Sequence, residues 1–326
     1  MARIAVLDDY QNVARQMADW SLLRAHEVVF FRDHLEDEGA VAKRLRDFDF
    51  VIAMRERTPF TTSLLGRLPS LRMLVTTGRR NAAIDTDAAT KLGLVVSWTG
   101  APSTSTAELT IGLMIAVMRH VPEEDRAVRE GHWQRTVGVS LGGKTLGVIG
   151  LGGIGSHIAQ IGHALQMRVV AWSQNLTAAR ATECGATLVS KLELLQTSDV
   201  VTIHLRLSPR TQGLLGADDL ALMKRTAYLI NTSRGPIVDE AALVRALNEG
   251  TIAGAGLDVF DREPLPKGHP LLTARNTVLT PHIGYVTHES YRSYFTEAVE
   301  NILSFMDGKP LRVINTEVMD SPARRR

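Results

Sequence analysis

The stretch TLGVIGLGGIGSHIAQIGHAL, residues 145–165, decides the fold of this chain. It carries Gly150, Gly152 and Gly155 in the spacing G-x-G-x-x-G. The motif alone is weak, but here it follows a β-rich run and opens an amphipathic helical pattern, which is the context that dinucleotide binding requires. The first glycine permits a tight turn, the second lets backbone amides approach a pyrophosphate, and the third lets helix and strand pack closely. The helix N-terminus adds positive potential, so we predict a dinucleotide site here.

Short β-rich runs alternate with helical patterns on both sides of this turn. The upstream runs are RIAVLDD, EVVFF, FVIAMR, RMLVTTG and LVVSWTG. The runs from the turn onward are KTLGVIG, RVVAWS, DVVTIHL, TAYLINTS, GAGLDVF and TVLTPHIG. Short apolar runs that alternate with helices predict parallel sheets covered by helices. The predicted fold class is therefore α/β, with two doubly wound parallel-sheet domains of the Rossmann or flavodoxin type.

The chain has 326 residues, which suits two domains at the usual length of ~150 residues each. We expect the first boundary near the helix that follows GAPSTSTAEL, and we expect the last helical stretch, ESYRSYFTEAVENILSFMDG, to cross back to the first domain. The predicted substrate domain is 1–103 plus 288–326, and the predicted dinucleotide-binding domain is 104–287. The active site is expected in the cleft between them, and the terminal SPARRR is predicted to be a solvated tail.

Composition excludes several classes of function. Lys and Arg number 37 against 35 Asp and Glu, and the basic residues are scattered, so no nucleic-acid interface is predicted. Cys184 is the single cysteine, which excludes an internal disulfide and a thiolate metal site, and no metal is predicted. The apolar stretch LTIGLMIAVM, residues 109–118, is about half the length needed to cross a bilayer. The start, MARIAVLDDY, lacks the apolar run of a signal peptide, so we expect a cytoplasmic protein without membrane contact.

The strand RVVAWS ends where dinucleotide sites usually hold an acid for the ribose hydroxyls. Ser173 takes that place, 18 residues after Gly155, and Gln174 and Asn175 beside it are also uncharged. A serine bonds a ribose hydroxyl or a 2′-phosphate and repels neither. Arg206 is expected at the end of the fourth strand, where it would balance a 2′-phosphate or stack on adenine, or would simply be a solvated surface residue. The predicted cofactor is NAD(H) or NADP(H), with a slight lean to NADP(H).

Three later stretches, NTSRGPIVDEAAL, GLDVFDREP and TPHIG, carry candidate catalytic side chains. The carboxyl ends of parallel strands converge on one crevice, so Arg234, Glu263 and His282 are expected to meet there. Arginine binds a carboxylate with two parallel hydrogen bonds, histidine transfers protons near neutrality, and a nearby glutamate favours the charged imidazole. Taken singly, each residue also has a structural explanation. Arg234 would bond carbonyls at the strand end, Glu263 would be a solvated loop acid, and His282 would satisfy a buried loop. Behind a dinucleotide turn, the three together predict a catalytic site.

With GLGGIG, these motifs make the sequence resemble the D-isomer-specific 2-hydroxyacid dehydrogenase family, which includes glyoxylate/hydroxypyruvate reductases and phosphoglycerate dehydrogenases. The similarity runs from RMLVTTGRRNAAIDTDAA to TPHIGYVTHESY. The resemblance implies that Arg234 grips the substrate carboxylate and carbonyl, that His282 is the acid/base, and that Glu263 orients His282. It also implies a homodimer, with the helix from Leu109 to Arg119 as a candidate interface.

Further contacts are expected on the same basis. The residues expected at the cofactor are Gly150, Gly152, Gly153, Ile154, Gly155, Ser173, His204, Arg206, Thr106, Thr232, Ser233, Asp258 and Gly284. Of these, Asp258 is implied to bind the nicotinamide carboxamide. The residues expected at the substrate are Gly78, Arg79 and Arg80 after the TG pair, Arg55 at a position that holds phosphate in phosphoglycerate-using relatives, and Arg234. For Arg55, a role of Arg57 or plain exposure explains the residue equally well. Three departures from the family pattern are the absence of an acid at Ser173, Gly153 in place of a larger residue, and Arg206 where proline is common.

The expected function is therefore the reduction of a small 2-keto acid to its D-2-hydroxy acid with NAD(P)H, as in a glyoxylate/hydroxypyruvate reductase. The alternative enzyme is a D-3-phosphoglycerate dehydrogenase with Arg55 on the phosphate. A rival from another class is a dinucleotide-sensing binding protein that uses the fold to recognise a partner, because fold alone does not determine function.

Overall fold

The computed structural model of the chain describes residues 1–79, 81–101 and 104–325. The described part divides into two compact units, Met1–Pro102 with Val286–Arg326, and Ser103–Tyr285.

The described residues of the first unit form a five-stranded parallel sheet in the order β2-β1-β3-β4-β5. The strands are β1 (Arg3–Val6), β2 (Glu27–Phe30), β3 (Phe50–Ala53), β4 (Met73–Thr77) and β5 (Val95–Thr99). The helices are α1 (Ala14–Met17), α2 (Glu38–Leu45), α3 (Thr62–Gly66), α4 (Thr86–Lys91) and, late in the chain, α12 (His288–Met306). The strand order is that of flavodoxin-like folds. Every residue of β3 and β4 is buried, as expected for parallel strands that are covered on both faces.

Helix α12 covers part of this first sheet. It packs on β4, β5 and α1. Phe295, Ala298 and Ile302 are buried at a spacing of three and four residues, which is the pattern of a helix with one apolar face. The ring of Phe305 meets the ring of Phe50 edge-on, with 5.5 Å between centroids.

The described residues of the second unit form a seven-stranded parallel sheet in the order β12-β11-β10-β9-β6-β7-β8. The strands are β6 (Thr145–Ile149), β7 (Arg168–Trp172), β8 (Thr187–Leu188), β9 (Val200–Ile203), β10 (Tyr228–Asn231), β11 (Gly254–Leu257) and β12 (Thr277–Leu279). The helices are α5 (Thr104–Met118), α6 (Val121–Arg129), α7 (Gly153–Ala164), α8 (Ala178–Glu183), α9 (Lys191–Thr197), α10 (Ala217–Leu222) and α11 (Glu240–Asn248). The six strands from β8 to β11 follow the Rossmann order, and β12 extends the sheet at the β11 edge. The prediction of two doubly wound parallel sheets is confirmed; the two-residue β8 was absent from the predicted runs.

The predicted solvated tail is wrong for Arg325. Its guanidinium donates to the carbonyls of Leu68, Pro69 and Leu71 at 3.0, 3.0 and 2.7 Å, and its Nε donates to the carbonyl of Leu92 at 3.0 Å. Burial lowers the pKa of Arg325. The physical reason is that a guanidinium carries five donors, which suit a cluster of neighbouring backbone carbonyls.

Two kinds of feature are absent from the described residues. No helix among them combines the length and the apolar character needed to cross a bilayer. The same residues contain no group of three or more His, Cys, Asp or Glu side chains placed to hold a metal ion.

Candidate active site

The glycine turn joins β6 to α7 at the carboxyl edge of the second sheet. Gly150 has a φ of +98°, and a Cβ atom there would lie 2.6 Å from the carbonyl oxygen of His204. A Cβ atom on Gly155 would lie 2.0 Å from the carbonyl oxygen of Gly150. Backbone atoms thus fill the space that a side chain would need at both positions. At Gly152 and Gly153, no atom of the described residues lies within 4 Å of such a Cβ, so the turn is open in front of α7.

The first turn of α7 fits a phosphate group. Gly152 is the N-cap and offers no side chain to the first amides of the helix. Gly153 and the half-buried Ile154 begin the helix. The amides of a first helical turn have no acceptor within the helix, and the helix dipole attracts an anion to them. The residues present therefore match the pyrophosphate of a dinucleotide.

Ser173 and His204 follow the two strands that flank β6. The amide of Gly150 donates to the carbonyl of Trp172 at 2.8 Å, and the amide of His204 donates to the carbonyl of Ile149 at 2.8 Å. These bonds hold the ends of β7 and β9 beside the glycine turn. Both residues thus begin beside the glycine turn, and their contact with the cofactor stays a prediction.

The side chains at this edge differ in exposure. Ser173 is half-buried and Arg206 is exposed. Burial lowers the pKa of His204 to about 3, so its imidazole is neutral near pH 7, and its Nε2 lies 2.9 Å from the hydroxyl of Thr202. Of the side chains of Ser173, His204 and Arg206, that of Arg206 is therefore the one that carries a charge near pH 7.

The three predicted catalytic residues follow three consecutive strands of the second sheet. Arg234 follows β10, Glu263 follows β11 and His282 follows β12. The Nδ1 atom of His282 lies 2.6 Å from Oε2 of Glu263. The other carboxylate oxygen of Glu263 accepts a hydrogen bond from the amide of Phe260 at 3.0 Å. The structure thus brings the imidazole and the acid into direct contact.

Arg234 lies in a loop that is fixed by its neighbours. Asn231, which is 2% exposed, donates from Nδ2 to the carbonyl of Arg234 at 3.0 Å and accepts the amide of Ser233 at 3.0 Å. The hydroxyl of Ser233 donates to the carbonyl of Leu205. The guanidinium of Arg234 is half-buried and donates to the carbonyl of Ser233 at 2.6 Å. The sequence reasoning missed Asn231, although it is the polar last residue of an otherwise apolar strand.

A glycine packs the Arg234 loop against the Glu263 loop. A Cβ atom on Gly235 would lie 2.1 Å from the carbonyl carbon of Phe260 and 2.5 Å from the amide nitrogen of Asp261. The two backbones are therefore in contact. The packing of Gly235 on Phe260 thus helps to position both Arg234 and Glu263, and Glu263 in turn bonds His282.

Asp258 holds the loop that carries His282. One of its oxygens accepts the hydroxyl of Thr280 at 2.6 Å and the amide of Ile283 at 2.8 Å, and the other accepts the amide of Gly284 at 2.8 Å. Burial raises the pKa of Asp258, although these hydrogen bonds and the nearby His282 act in the opposite direction. His282 itself has a φ of +54°, an unusual backbone conformation that the loop maintains.

Thr106, Thr232 and Gly284, which are predicted at the cofactor, are linked to one another. Thr106 donates from Oγ1 to the carbonyl of Gly284 at 3.0 Å. Thr110 connects Thr106 with Thr232 through two further hydrogen bonds of 2.7 and 2.8 Å. Thr110 was not predicted; the available signal was a hydroxyl four residues after Thr106 in a strongly apolar helix.

The predicted substrate residues Arg55, Gly78 and Arg79 lie in the first unit, after β3 and β4. The Nη1 atom of Arg55 lies 1.7 Å from the position of a Cβ atom on Gly78, so the guanidinium packs directly on this glycine. Gly78 has a φ of +95°. The exposed Arg79 places its guanidinium 4.7 Å from the ring centroid of Trp98. Arg80 lies outside the described residues.

Comparison with known proteins gives a consistent result. The family model for the D-isomer specific 2-hydroxyacid dehydrogenase NAD-binding domain matches residues 111–284. The glyoxylate reductase of Aeropyrum pernix is 43% identical over 267 residues, which cover 78% of this chain and 80% of that protein. The D-3-phosphoglycerate dehydrogenase of Methanocaldococcus jannaschii is 38% identical over 271 residues, which cover 82% of this chain and 51% of that longer protein.

A solved structure agrees along nearly the whole chain. The crystal structure of a phosphoglycerate oxidoreductase from Vibrio cholerae O395 has a TM-score of 0.91 and 37% identity, and the alignment covers 94% of this chain and 100% of that one. The domain match identifies the cofactor as a nicotinamide dinucleotide. The chain belongs to the D-isomer specific 2-hydroxyacid dehydrogenase family.

Proposed function

We propose that this enzyme interconverts a small 2-keto acid and its D-2-hydroxy acid with NAD(P)H, in the manner of a glyoxylate or hydroxypyruvate reductase. The observation that carries the proposal is the 2.6 Å bond between His282 and Glu263, at the edge of the sheet that also bears the glycine turn. The similarity of this chain to the glyoxylate reductase of Aeropyrum pernix supports glyoxylate or a related 2-keto acid as the substrate.

The imidazole of His282, which Glu263 orients, transfers the proton in the proposed reaction. Because Nδ1 of His282 is bonded to Glu263, Nε2 is the nitrogen left for the substrate oxygen. In reduction, Nε2 gives its proton to the carbonyl oxygen, which becomes the hydroxyl; in oxidation, neutral Nε2 takes the proton back. When bound, the reduced nicotinamide supplies the hydride that ends on the carbonyl carbon. The carboxylate of Glu263 stabilises the imidazolium and fixes its orientation.

The guanidinium of Arg234 stabilises negative charge on the substrate in the proposed reaction. Its planar group binds the substrate carboxylate with paired hydrogen bonds and stabilises the negative charge that grows on the carbonyl oxygen. Asn231 and Gly235 hold the loop in place before the substrate binds. This preorganisation favours the transition state, since no reorganisation of the loop is needed during the reaction.

We further propose a preference for NADP(H). The first turn of α7 would hold the pyrophosphate, and Asp258 would accept a hydrogen bond from the nicotinamide carboxamide. Ser173 offers a hydroxyl where an acid would repel a 2′-phosphate. The exposed Arg206 supplies a positive charge after the neighbouring strand.

A second substrate remains a candidate because of Arg55. Its guanidinium packs on Gly78, in the loop that was predicted to bind the substrate carboxylate, although the amide of Gly78 itself donates to the carbonyl of Thr99 at 2.9 Å. A cation at this position suits the phosphate of 3-phosphoglycerate. The similarity to the D-3-phosphoglycerate dehydrogenase of Methanocaldococcus jannaschii supports the same alternative.

We also propose a homodimer that uses Leu109 to Arg119, which form most of α5 and the residue after it, and the segment of residues 130–140 that follows α6. Trp133 and Val137 in this segment are 76% and 93% exposed. Glu124 holds the segment in place by accepting the amide and the hydroxyl of Thr136. Exposed aromatic and aliphatic side chains on an anchored backbone are typical of a protein interface. We also propose a cytoplasmic location, which agrees with a single cysteine that cannot form an internal disulfide.

A survey of rates tests the function. Glyoxylate, hydroxypyruvate, pyruvate and 3-phosphohydroxypyruvate are compared with NADPH and NADH, with the His282→Gln variant as the inactive control. We expect reduction of glyoxylate or hydroxypyruvate to be the fastest. Faster turnover of the phosphorylated acid would favour the alternative, and no turnover of any 2-keto acid would reject the proposal.

A further inference from the structure

Two loops of the second unit are joined through the first turns of α5. One is the loop of residues 231–238, which carries Arg234, and the other is the loop of residues 280–285, which carries His282. The connection is made by Thr106, Thr110 and Thr232, which we name the threonine chain. Thr110, its middle member, is 1% exposed.

The direction of each hydrogen bond in the threonine chain follows from the proton count. A threonine hydroxyl has one proton to donate. The hydroxyl of Thr110 donates to the backbone carbonyl of Thr106 at 2.7 Å, because a carbonyl can only accept. In the 2.8 Å contact between the hydroxyls of Thr110 and Thr232, Thr232 must therefore be the donor.

Thr106, at the other end of the threonine chain, contacts the loop that carries His282. The hydroxyl of Thr106 donates to the carbonyl of Gly284 at 3.0 Å, two residues after His282. At the first end of the threonine chain, Thr232 lies two residues before Arg234. Three hydrogen bonds therefore link the residues beside Arg234 with the residues beside His282, and they are joined through Thr106, whose backbone carbonyl accepts one bond and whose hydroxyl donates another.

We propose that Thr110 is a positioning residue for the reaction: its hydroxyl fixes the Arg234 loop and the His282 loop relative to each other. The proposal rests on the proposed function, in which Arg234 binds the substrate and His282 exchanges the proton. Removing the hydroxyl leaves the buried proton of Thr232 without its acceptor, so the loop must move to find another partner. Such a small displacement of a substrate-binding group lowers turnover.

The first test compares Thr110→Val with Thr110→Ser. Valine keeps the shape and loses the hydroxyl, whereas serine keeps the hydroxyl. We expect Thr110→Val to lower kcat/KM for the best 2-keto acid about tenfold or more, with the affinity for NADPH, measured by fluorescence titration, within about threefold of the wild type. Thr110→Ser should restore most of the rate. The control is Thr197→Val, which removes a similar hydroxyl bond to a carbonyl four residues earlier in α9 and should leave the rate unchanged.

A double-mutant cycle with Thr232→Val identifies the bond itself. If the contact between the two hydroxyls carries the effect, the losses of Thr110→Val and Thr232→Val are far less than additive in the double variant. Additive losses, equal rates for Thr110→Val and the wild type, or a Thr110→Ser variant as slow as Thr110→Val would overturn the inference.

Amide hydrogen exchange separates this inference from the proposed function. Thr110→Val should speed exchange in the peptides covering 231–238 and 280–285 by about fivefold or more, and Thr110→Ser should not. A wild type that reduces no 2-keto acid rejects the proposed function but leaves this measurement intact. Unchanged exchange in both loops would reject the role of Thr110.

Discussion

Both oxygens of the Glu263 carboxylate are engaged: Oε2 lies 2.6 Å from Nδ1 of His282, and Oε1 accepts the amide of Phe260 at 3.0 Å. The glutamate is thus tied to its own loop while it orients the imidazole. We predict that Glu263→Gln lowers kcat by about 10- to 100-fold, because the amide keeps the shape but no longer stabilises the imidazolium. Steady-state kinetics measure the effect. The matched control, Glu183→Gln, removes an exposed carboxylate that pairs with Arg180 and should be silent; a rate unchanged by Glu263→Gln would assign the acid a structural role only.

The contact of Gly235 with the backbone of Phe260 gives a second prediction. Gly235→Ala must push the Arg234 and Glu263 loops apart, since a Cβ atom would lie 2.1 Å from a carbonyl carbon. We expect a loss of about 1–3 kcal/mol in the free energy of unfolding and a kcat at least tenfold lower. Gly66→Ala is the control, because no described atom lies within 4 Å of its Cβ position. Equal stability and activity of the two variants would show that the loops are not packed in this way.

His204 predicts how stability depends on pH. Burial lowers its pKa from 6.5 to about 3 in the folded state. Between those values the unfolded chain binds one proton more, so the free energy of unfolding decreases as the pH falls, by as much as ~1.4 kcal/mol per pH unit. His204→Asn removes this dependence. Urea unfolding at pH 6 and pH 5 should show a shallower pH dependence for the variant than for the wild type, and equal slopes would mean that the imidazole is charged in the folded state.

Ser173 predicts the choice of cofactor. Ser173→Asp introduces a carboxylate that binds the ribose hydroxyls and repels a 2′-phosphate. We expect kcat/KM with NADPH to fall about tenfold or more and kcat/KM with NADH to rise. Ser173→Asn, which adds similar bulk without charge, is the control. If the wild type already prefers NADH a hundredfold, the proposed lean towards NADP(H) is wrong.

Trp133 predicts the oligomeric state. Trp133→Glu places a charge on the exposed segment of the proposed interface and should convert the dimer into a monomer, because an unpaired buried charge is costly. Sedimentation velocity measures the mass. Leu272→Glu, at another exposed leucine, is the control that should remain dimeric. A wild type that sediments as a monomer would remove the homodimer from the proposal.

The fold class could be predicted because its signals are local. Apolar strands such as Phe50–Ala53 and helices such as His288–Met306 are legible in short windows of sequence. The strand Thr187–Leu188 was missed because two residues show no periodicity. Arg325 was misread because three consecutive arginines are typical of a solvated tail, and nothing nearby in the sequence shows the carbonyls that bind it.

The candidate site divides in the same way. The residue types after each strand predict chemistry at the carboxyl edge, since parallel strands converge there. The residues that hold the loops cannot be found by this reasoning. Thr110 and Thr232 are 122 residues apart, and the engagement of Asp258 by Ile283 and Gly284 depends on the exact path of one loop. Such partners come together only in the folded chain.

The first unit is built from both ends of the chain, with α12 packed on β4 and β5. A ribosome therefore releases every residue of the second unit before α12 is available. Throughout that interval the first sheet lacks one of its covering helices and exposes apolar surface to the cell. The second unit is thus free to mature early, whereas the first must wait, and chaperone protection during synthesis will matter most for the amino-terminal hundred residues.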